Sequence, residues 1–558
     1  MRIPKKSIFS YPMLILILFI GVYIRVYDID KVGIYDWDSA YYGNTAKVPI
    51  LTAKWLINNS DKTSNIEDLK DHLLKRGCNS HIIKPGHLLL ITASYLVFGI
   101  KDYAVLMVSV LCGIGVILLT FIIGKKMFGK TAGYLAAAII SVSGQQVIYS
   151  RTGFPQMDTT LIFCLAFLSF WVFISNQDRR KFFFIAAIIS GLTLLFHQSV
   201  YLVIIPLLIA VIMNAMNKND NSLIKSIKDC FYFCAIMFAI LLSTQLLIMI
   251  INSINPSGGE DFLIRNMERY QAGLFERWSF TVEKLIFYPI MFWRLEGPII
   301  TILIPVSILF VFAKAYRTRS MNYILVVLLT IIPITFWILN YTTLKGIQVV
   351  MPFLALCAGV FITEISGIIS NYFKKKKIKT IIPIALSLII LLFGYHRVLP
   401  YVKWKSNYKP VSEQLISYMK THDGIFNISQ NTLRPILSFY IGNEVDRLPA
   451  DLKERIFFEN VNIKTDYRVI DWRQFIPNVS DKSYLLNISK EYIPIIELDY
   501  RKEAWPIFNY HRHYDMERIP ELFNKYPDAK KISVYDLRRN KITPQDSLKS
   551  SARIIDSG

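Results

Sequence analysis

The sequence predicts a polytopic α-helical membrane protein ending in an α/β domain outside the bilayer, and three observations carry that prediction. The 558 residues are 53% hydrophobic with a mean hydropathy of +0.38. Apolar runs of about 18–23 residues recur along the first two thirds, the length that crosses a bilayer. Lysine and arginine number 63 against 41 acidic residues, a net charge of +22, and the excess gathers in short loops between apolar runs. That is the bias that orients helices rather than a nucleic-acid footprint, so no nucleic-acid partner is expected. The third observation is a change near Tyr401 to polar, aromatic-rich sequence long enough for one domain.

With basic loops taken as cytoplasmic, the chain can be threaded in order. Arg2, Lys5 and Lys6 place the start inside, and Ile8–Tyr27 runs outward as a retained helix, too long for a signal-peptide core. Residues 28–101 form a long external segment, within which Leu88–Gly99 is too short to span and reads as re-entrant or interfacial. Spans follow at Tyr103–Gly124 and Thr131–Tyr149, with Ser150–Met157 as a short outer loop. Thr159–Ser175, Phe182–Gln198, Val200–Met216 and Cys230–Ile251 come next. Residues 252–297 form a second large external loop, in which Asn266–Arg277 reads as an amphipathic surface helix. Pro298–Ala315, Tyr323–Tyr341, Ile347–Ser370 and Thr380–Arg397 complete about eleven spans. The boundary falls at 400, giving a membrane module (1–400) and a soluble extracytoplasmic domain (401–558).

In that domain Val411–His422 reads as an amphipathic helix and Thr432–Ile441 as helical. Gly424–Ser429, Tyr467–Asp471, Ser483–Ile488 and Ile532–Asp536 read as strands. Asn427, Asn478 and Asn487 head sequons, a pattern that arises often by chance. Of the six cysteines only Cys78 lies in a loop, and no disulfide framework is suggested.

Chemistry concentrates in Ile34–Ala46, IYDWDSAYYGNTA. Asp36 and Asp38 stand two residues apart beside aromatic rings at a membrane surface. The spans are poor in charge, whereas a coupled transporter retains ionisable groups near the midplane. Asp36, Asp38, Lys84, His87, Arg151, Asp158, His197 and Lys345 instead gather at outer ends and loops. A carboxylate there can take a proton from an acceptor hydroxyl, and cations at headgroup depth can meet a phosphate. Blander readings compete: aspartates capping helices, Lys84 snorkelling, Arg151 pairing with Asp158, His197 as a helix-end histidine. No cluster has metal-ligand spacing; no cofactor is assigned, and the use of a divalent cation is left open.

The order of an acidic motif after helix one, Lys84-Pro85 before a short helix, and Arg151…Asp158 in the next loop (YSRTGFPQMD) resembles the dolichyl-phosphate-mannose–protein mannosyltransferase superfamily. Its relatives include the lipid A aminoarabinose transferases, glycosyltransferases of the GT-C fold. The resemblance covers roughly residues 1–400, with an echo at Leu437–Val445. It implies transfer of a sugar from a polyprenyl-phosphate donor to an extracytoplasmic acceptor (protein, lipid or glycan), with inversion. Asp38 takes the base position and Asp158 assists, Asp36 standing beside them. Tyr42 matches the tyrosine after the acidic pair, and Lys84, Arg151 and Lys345 match the positions that meet the lipid phosphate. Ser39 replaces the usual glutamate, Gly86 the second proline, and Gln348-Val349 the usual Arg-Tyr. The setting implied is a plasma membrane, or the endoplasmic reticulum in a eukaryote. A flippase for a lipid-linked sugar and a non-catalytic assembly protein are the alternatives.

Overall fold

The computed structural model describes residues 12–34, 37–59, 65–78, 82, 84–175, 181–197, 201–216, 220–252, 281–339, 344–375, 377–406, 408–428, 436–458, 465–471, 491–492, 494–499 and 531–538. Asp36, the basic N-terminal residues, Asn266–Arg277 and the expected strand at Ser483–Ile488 lie outside them. Among the described residues eight helices are long and apolar enough to cross a membrane, and four shorter ones are apolar. Three of those four, at Lys130–Val142, Lys181–Leu194 and Ile204–Met213, fall where spans are expected. The fourth, Pro85–Phe98, is the one read as too short.

The chain opens with α1 (Pro12–Val26) and α2 (Ile29–Val32). The expected external segment is largely helical: α3 (Trp37–Asn58), α4 (Ile66–Lys75) and α5 (Pro85–Phe98). Apolar residues in α3 and α5 bury against each other and against α6 (Asp102–Phe128), while Asn65 and Asp68 form a capping box on α4. α6 packs on α7 (Lys130–Val142) and on α9 (Gln156–Ser175). Small residues let these helices approach closely: a Cβ on Gly133 would stand 2.7 Å from Phe121 O, and one on Gly359 2.6 Å from Ala132 O.

Two expected boundaries are corrected. The span read as Thr131–Tyr149 breaks at Ser143 (φ −61°, ψ 123°), and a separate helix α8 (Gly144–Ser150) follows. The break is stable because buried side chains take over its backbone groups, as described below. The loop read as 252–297 is helical from Val282, and this helix runs to Thr318 with a kink at Gly297 (φ 79°). Its apolar residues Phe287, Tyr288, Met291 and Leu295 are buried, which sequence spacing alone left unassigned. The span read as Ile347–Ser370 is preceded by a short helix at Leu344–Ile347 and a 3-10 turn at Gln348–Val350, then runs over Met351–Tyr372.

The C-terminal region carries a five-stranded mixed sheet in the order β2-β1-β3-β5-β4, where β1 is Phe426–Ile428, β2 Ile456–Phe458, β3 Tyr467–Asp471, β4 Pro494–Asp499 and β5 Lys531–Asp536. β1 pairs in parallel with β2 and β3, and β5 pairs antiparallel with β3 and β4. β2 and β4 escaped sequence reading because β2 is three residues long and follows a helix directly. The region seats on the segment just before Asp38. Ile34 N donates to Tyr440 Oη (2.7 Å), Ser406 N to Val32 O (2.7 Å), and Lys47 Nζ to Phe439 O (3.2 Å).

Candidate functional site

Asp38 lies in the first turn of α3, and Lys345 in the short helix Leu344–Ile347, 307 residues later. Their side chains meet at 2.5 Å, with 18% of Lys345 and 23% of Asp38 exposed, so the pair is only partly buried. The Lys345 ammonium also lies over the Phe154 ring, 4.2 Å from its centroid. The next turn of the chain joins this pair to a second one. Gly153 N donates to Ser39 Oγ (3.1 Å), and Gly153 O faces His87 Nε2 at 2.9 Å. His87 Nδ1 lies 2.6 Å from Asp158 Oδ2, both residues fully buried, while Thr159 N donates to Asp158 Oδ1 (2.8 Å).

A backbone carbonyl can only accept, so His87 Nε2 carries a proton; the 2.6 Å contact on the other side then holds one more, shared with the carboxylate. The pair is therefore neutral overall and tied up inside the protein. Asp158 braces the site rather than facing it. It pairs with His87, not with Arg151.

Tyr42 connects the two halves. Its ring meets His87 edge-on at 5.0 Å, and the Lys84 ammonium sits 5.2 Å from its centroid. Lys84 is placed by the start of α5, where Pro85 occupies the first helical turn. Gly86, standing where the family has proline, donates its N–H to Leu195 O (3.1 Å), and a Cβ there would lie 2.6 Å from the Phe196 ring. Proline would lose the hydrogen bond and collide with the ring, so the departure has a local cause. His197 follows Phe196, half-buried, its N–H closing the end of helix Lys181–Leu194 on Thr193 O (3.3 Å).

Arg151 is placed otherwise than a phosphate ligand. Only 4% exposed, it donates through Nη1 to Ile24 O, Arg25 O and Tyr27 O and through Nη2 to Val402 O, at 2.9–3.2 Å. These are carbonyls at the ends of α1 and of helix Ile378–Lys403, which helix geometry leaves without partners. Arg151 thus ties the ends of these two helices together.

Three residues that sequence reading passed over surround the break at Ser143. Arg25, buried in the first span, donates to Ser150 Oγ (3.0 Å), Ser141 O (2.8 Å) and Ile140 O (3.1 Å). Glu296 accepts from Ser143 Oγ (2.7 Å), Gln145 N (3.0 Å) and Gly144 N (3.2 Å). Arg397 donates to Val142 O (3.0 Å) and pairs with Glu296 (3.5 Å). The signal for Arg25 was an ionisable residue inside an apolar run, which is costly in lipid unless partnered. Among the described residues no three His, Cys, Asp or Glu side chains group as metal ligands.

The fold defines a class: a polytopic membrane protein of the GT-C type. Residues 84–248 match the family of dolichyl-phosphate-mannose-protein mannosyltransferases. ArnT from Cupriavidus metallidurans superposes with a TM-score of 0.54 at 13% identity, covering 87% of this chain and 96% of that one. It has also been solved bound to undecaprenyl phosphate (TM-score 0.53, 12% identity, the same coverage). The Archaeoglobus fulgidus oligosaccharyltransferase in its apo form matches with a TM-score of 0.54 at 12% identity, over 90% of this chain and 75% of that one. In sequence, YkcB of Bacillus subtilis (strain 168), provisionally named a mannosyltransferase, is 29% identical over 96 residues. That stretch spans 17% of this chain and 13% of that relative. The fold expected from the motifs is therefore the one shared with these solved structures, and residues 84–248 carry the family match.

Proposed function

We propose that this chain transfers a sugar from a polyprenyl-phosphate donor to an acceptor on the extracytoplasmic side of the membrane. The observation that carries the reading is the partly exposed Asp38–Lys345 pair, with Lys84 beside it across Tyr42. One carboxylate and two cations in one neighbourhood suit a displacement that needs a base on one side and an anion stabiliser on the other. The undecaprenyl phosphate held by ArnT, a protein of the same fold, supports the donor class. The basic loops, read as cytoplasmic, support the sidedness.

In the proposed step an acceptor hydroxyl or amine attacks the anomeric carbon while the carbon–oxygen bond to phosphate breaks. The acceptor proton passes to Asp38, and the electron pair leaves with the polyprenyl phosphate, whose charge Lys84 and Lys345 meet. In-line attack inverts the anomeric centre. Lys345 holds Asp38 ionised but weakens it as a base. A donor phosphate competes for that ammonium, so donor binding frees the carboxylate as the acceptor arrives. Asp158 acts through His87, and Tyr42 and His197 line the approach. Asp36 falls outside the described residues, so its proposed part rests on the sequence motif alone. The C-terminal domain from 401 seats against α3 and is proposed to shape the acceptor side.

The test is a transfer assay with polyprenyl-phosphate sugars that follows released polyprenyl phosphate. Asp38→Asn is expected to remove transfer while the protein purifies as a folded species. Equilibration of a labelled lipid-linked sugar between leaflets, without product, would favour the flippase reading instead.

A further inference from the structure

The break between α7 and α8 exposes backbone groups inside the membrane module, and five of those around Ser143 are met by charged side chains. Arg25 takes the carbonyls of Ile140 and Ser141, Arg397 that of Val142, and Glu296 the amides of Gly144 and Gln145. Arg25 and Glu296 are fully buried; removing either would strand peptide groups, and removing Glu296 would also take the carboxylate from Arg397. Burying two ionic groups and half-burying a third is costly, and what the arrangement fixes in place accounts for the cost. The next side chains along the chain show what is fixed. Gln145 Nε2 donates to Leu344 O (2.9 Å), the carbonyl adjoining Lys345, and Gln146 Nε2 donates to Gln348 Oε1 (2.7 Å). Gln348 stands where the family has arginine, so a buried amide pair replaces a cation beside Lys345.

We infer that Arg25, Glu296 and Arg397 form a clamp whose role is to position Lys345 against Asp38, through Gln145 and the 344–348 turn. These are positioning residues; none touches the reacting groups. The inference rests on Asp38 and Lys345 being the working pair of the proposed transfer, so its test needs a readout independent of transfer.

That readout is the rate at which an amine-reactive ester labels Lys345 in the purified full chain, followed by mass spectrometry. An ammonium paired with a carboxylate releases its proton less readily and labels slowly. Asp38→Asn supplies the reference that lacks this carboxylate. Glu296→Gln and Gln145→Met, the latter keeping side-chain volume, are expected to raise Lys345 labelling several-fold toward that reference. Labelling of exposed Lys31 and Lys405 should stay unchanged. Where transfer is measurable, kcat should fall about tenfold or more with donor KM little changed, and the acid limb of the pH profile should move upward. Wild-type Lys345 labelling in both folded variants would overturn the inference. Should Glu296→Gln fail to fold, Gln145→Met decides alone. Should the wild type turn over no polyprenyl-phosphate sugar, the transferase reading falls while the labelling still judges the clamp.

Discussion

At the scale of single residues, burial divides the polar side chains of the candidate site into two sets. Asp38, Lys84 and Lys345 remain partly exposed, whereas Asp158, His87 and Arg151 are buried among protein partners. The distinction is testable at Arg151. Lysine keeps the charge but cannot reach four carbonyls from one planar fork. Arg151→Lys should cost about 1–3 kcal/mol of stability, seen as a lower melting midpoint in detergent, with donor KM unchanged. A large rise in donor KM at unaltered stability would return Arg151 to the phosphate site. Gly86 gives a steric counterpart. Gly86→Ala pushes a methyl into the Phe196 ring and should lose about 1–3 kcal/mol, partly restored by adding Phe196→Leu. Sequence could name Asp38, Lys84, Lys345 and Asp158 because polar residues at the ends of apolar runs stand out. It could not show that Asp158 faces inward, since that depends on His87, 71 residues away.

At the scale of elements, helix ends and breaks carry the design. Apolar length located the spans, but the break at Ser143 and the helical run from Val282 were invisible. Each depends on a partner distant in sequence rather than on local pattern. Glu296 caps α8 from 152 residues downstream of Gly144. The docking of helix Ile436–Glu444 on α3 is another such feature, and it buries Lys47 against Asn44, Phe439 O and the Phe439 ring. Burial pushes the Lys47 ammonium down to about 7. The unfolded chain then binds more protons than the folded one between about 7 and the ordinary lysine value of 10.5. Stability should accordingly rise with pH across that window and be flat in this term below it. Lys47→Met should flatten the rise, as measured by thermal unfolding from pH 6.5 to 9.5. An unchanged slope would mean that Lys47 does not carry the penalty.

At the scale of the whole molecule, the site exists only because distant segments meet. Asp38 comes from the segment after α1, Lys84 from the start of α5, Gly153 from the turn between α8 and α9, Asp158 from the first turn of α9, and Lys345 from the short helix before Met351–Tyr372. The C-terminal region rests on this assembly through Tyr440 and Ser406, which fix the backbone of Val32–Ile34 just before Asp38. Sequence made the membrane class and the mixed composition of the tail plain, because hydropathy and charge are local. The mutual placement of five segments is not local, and only the folded chain displays it. The measurement that tests the central claim most directly is release of polyprenyl phosphate by wild type and Asp38→Asn, with purified protein, a polyprenyl-phosphate sugar and an acceptor. Loss of a positioned base typically lowers the rate by about 10²–10⁴-fold, and a fall of at least that size, in a variant that melts like the wild type, is the result expected. Full turnover by the Asp38→Asn protein would contradict it.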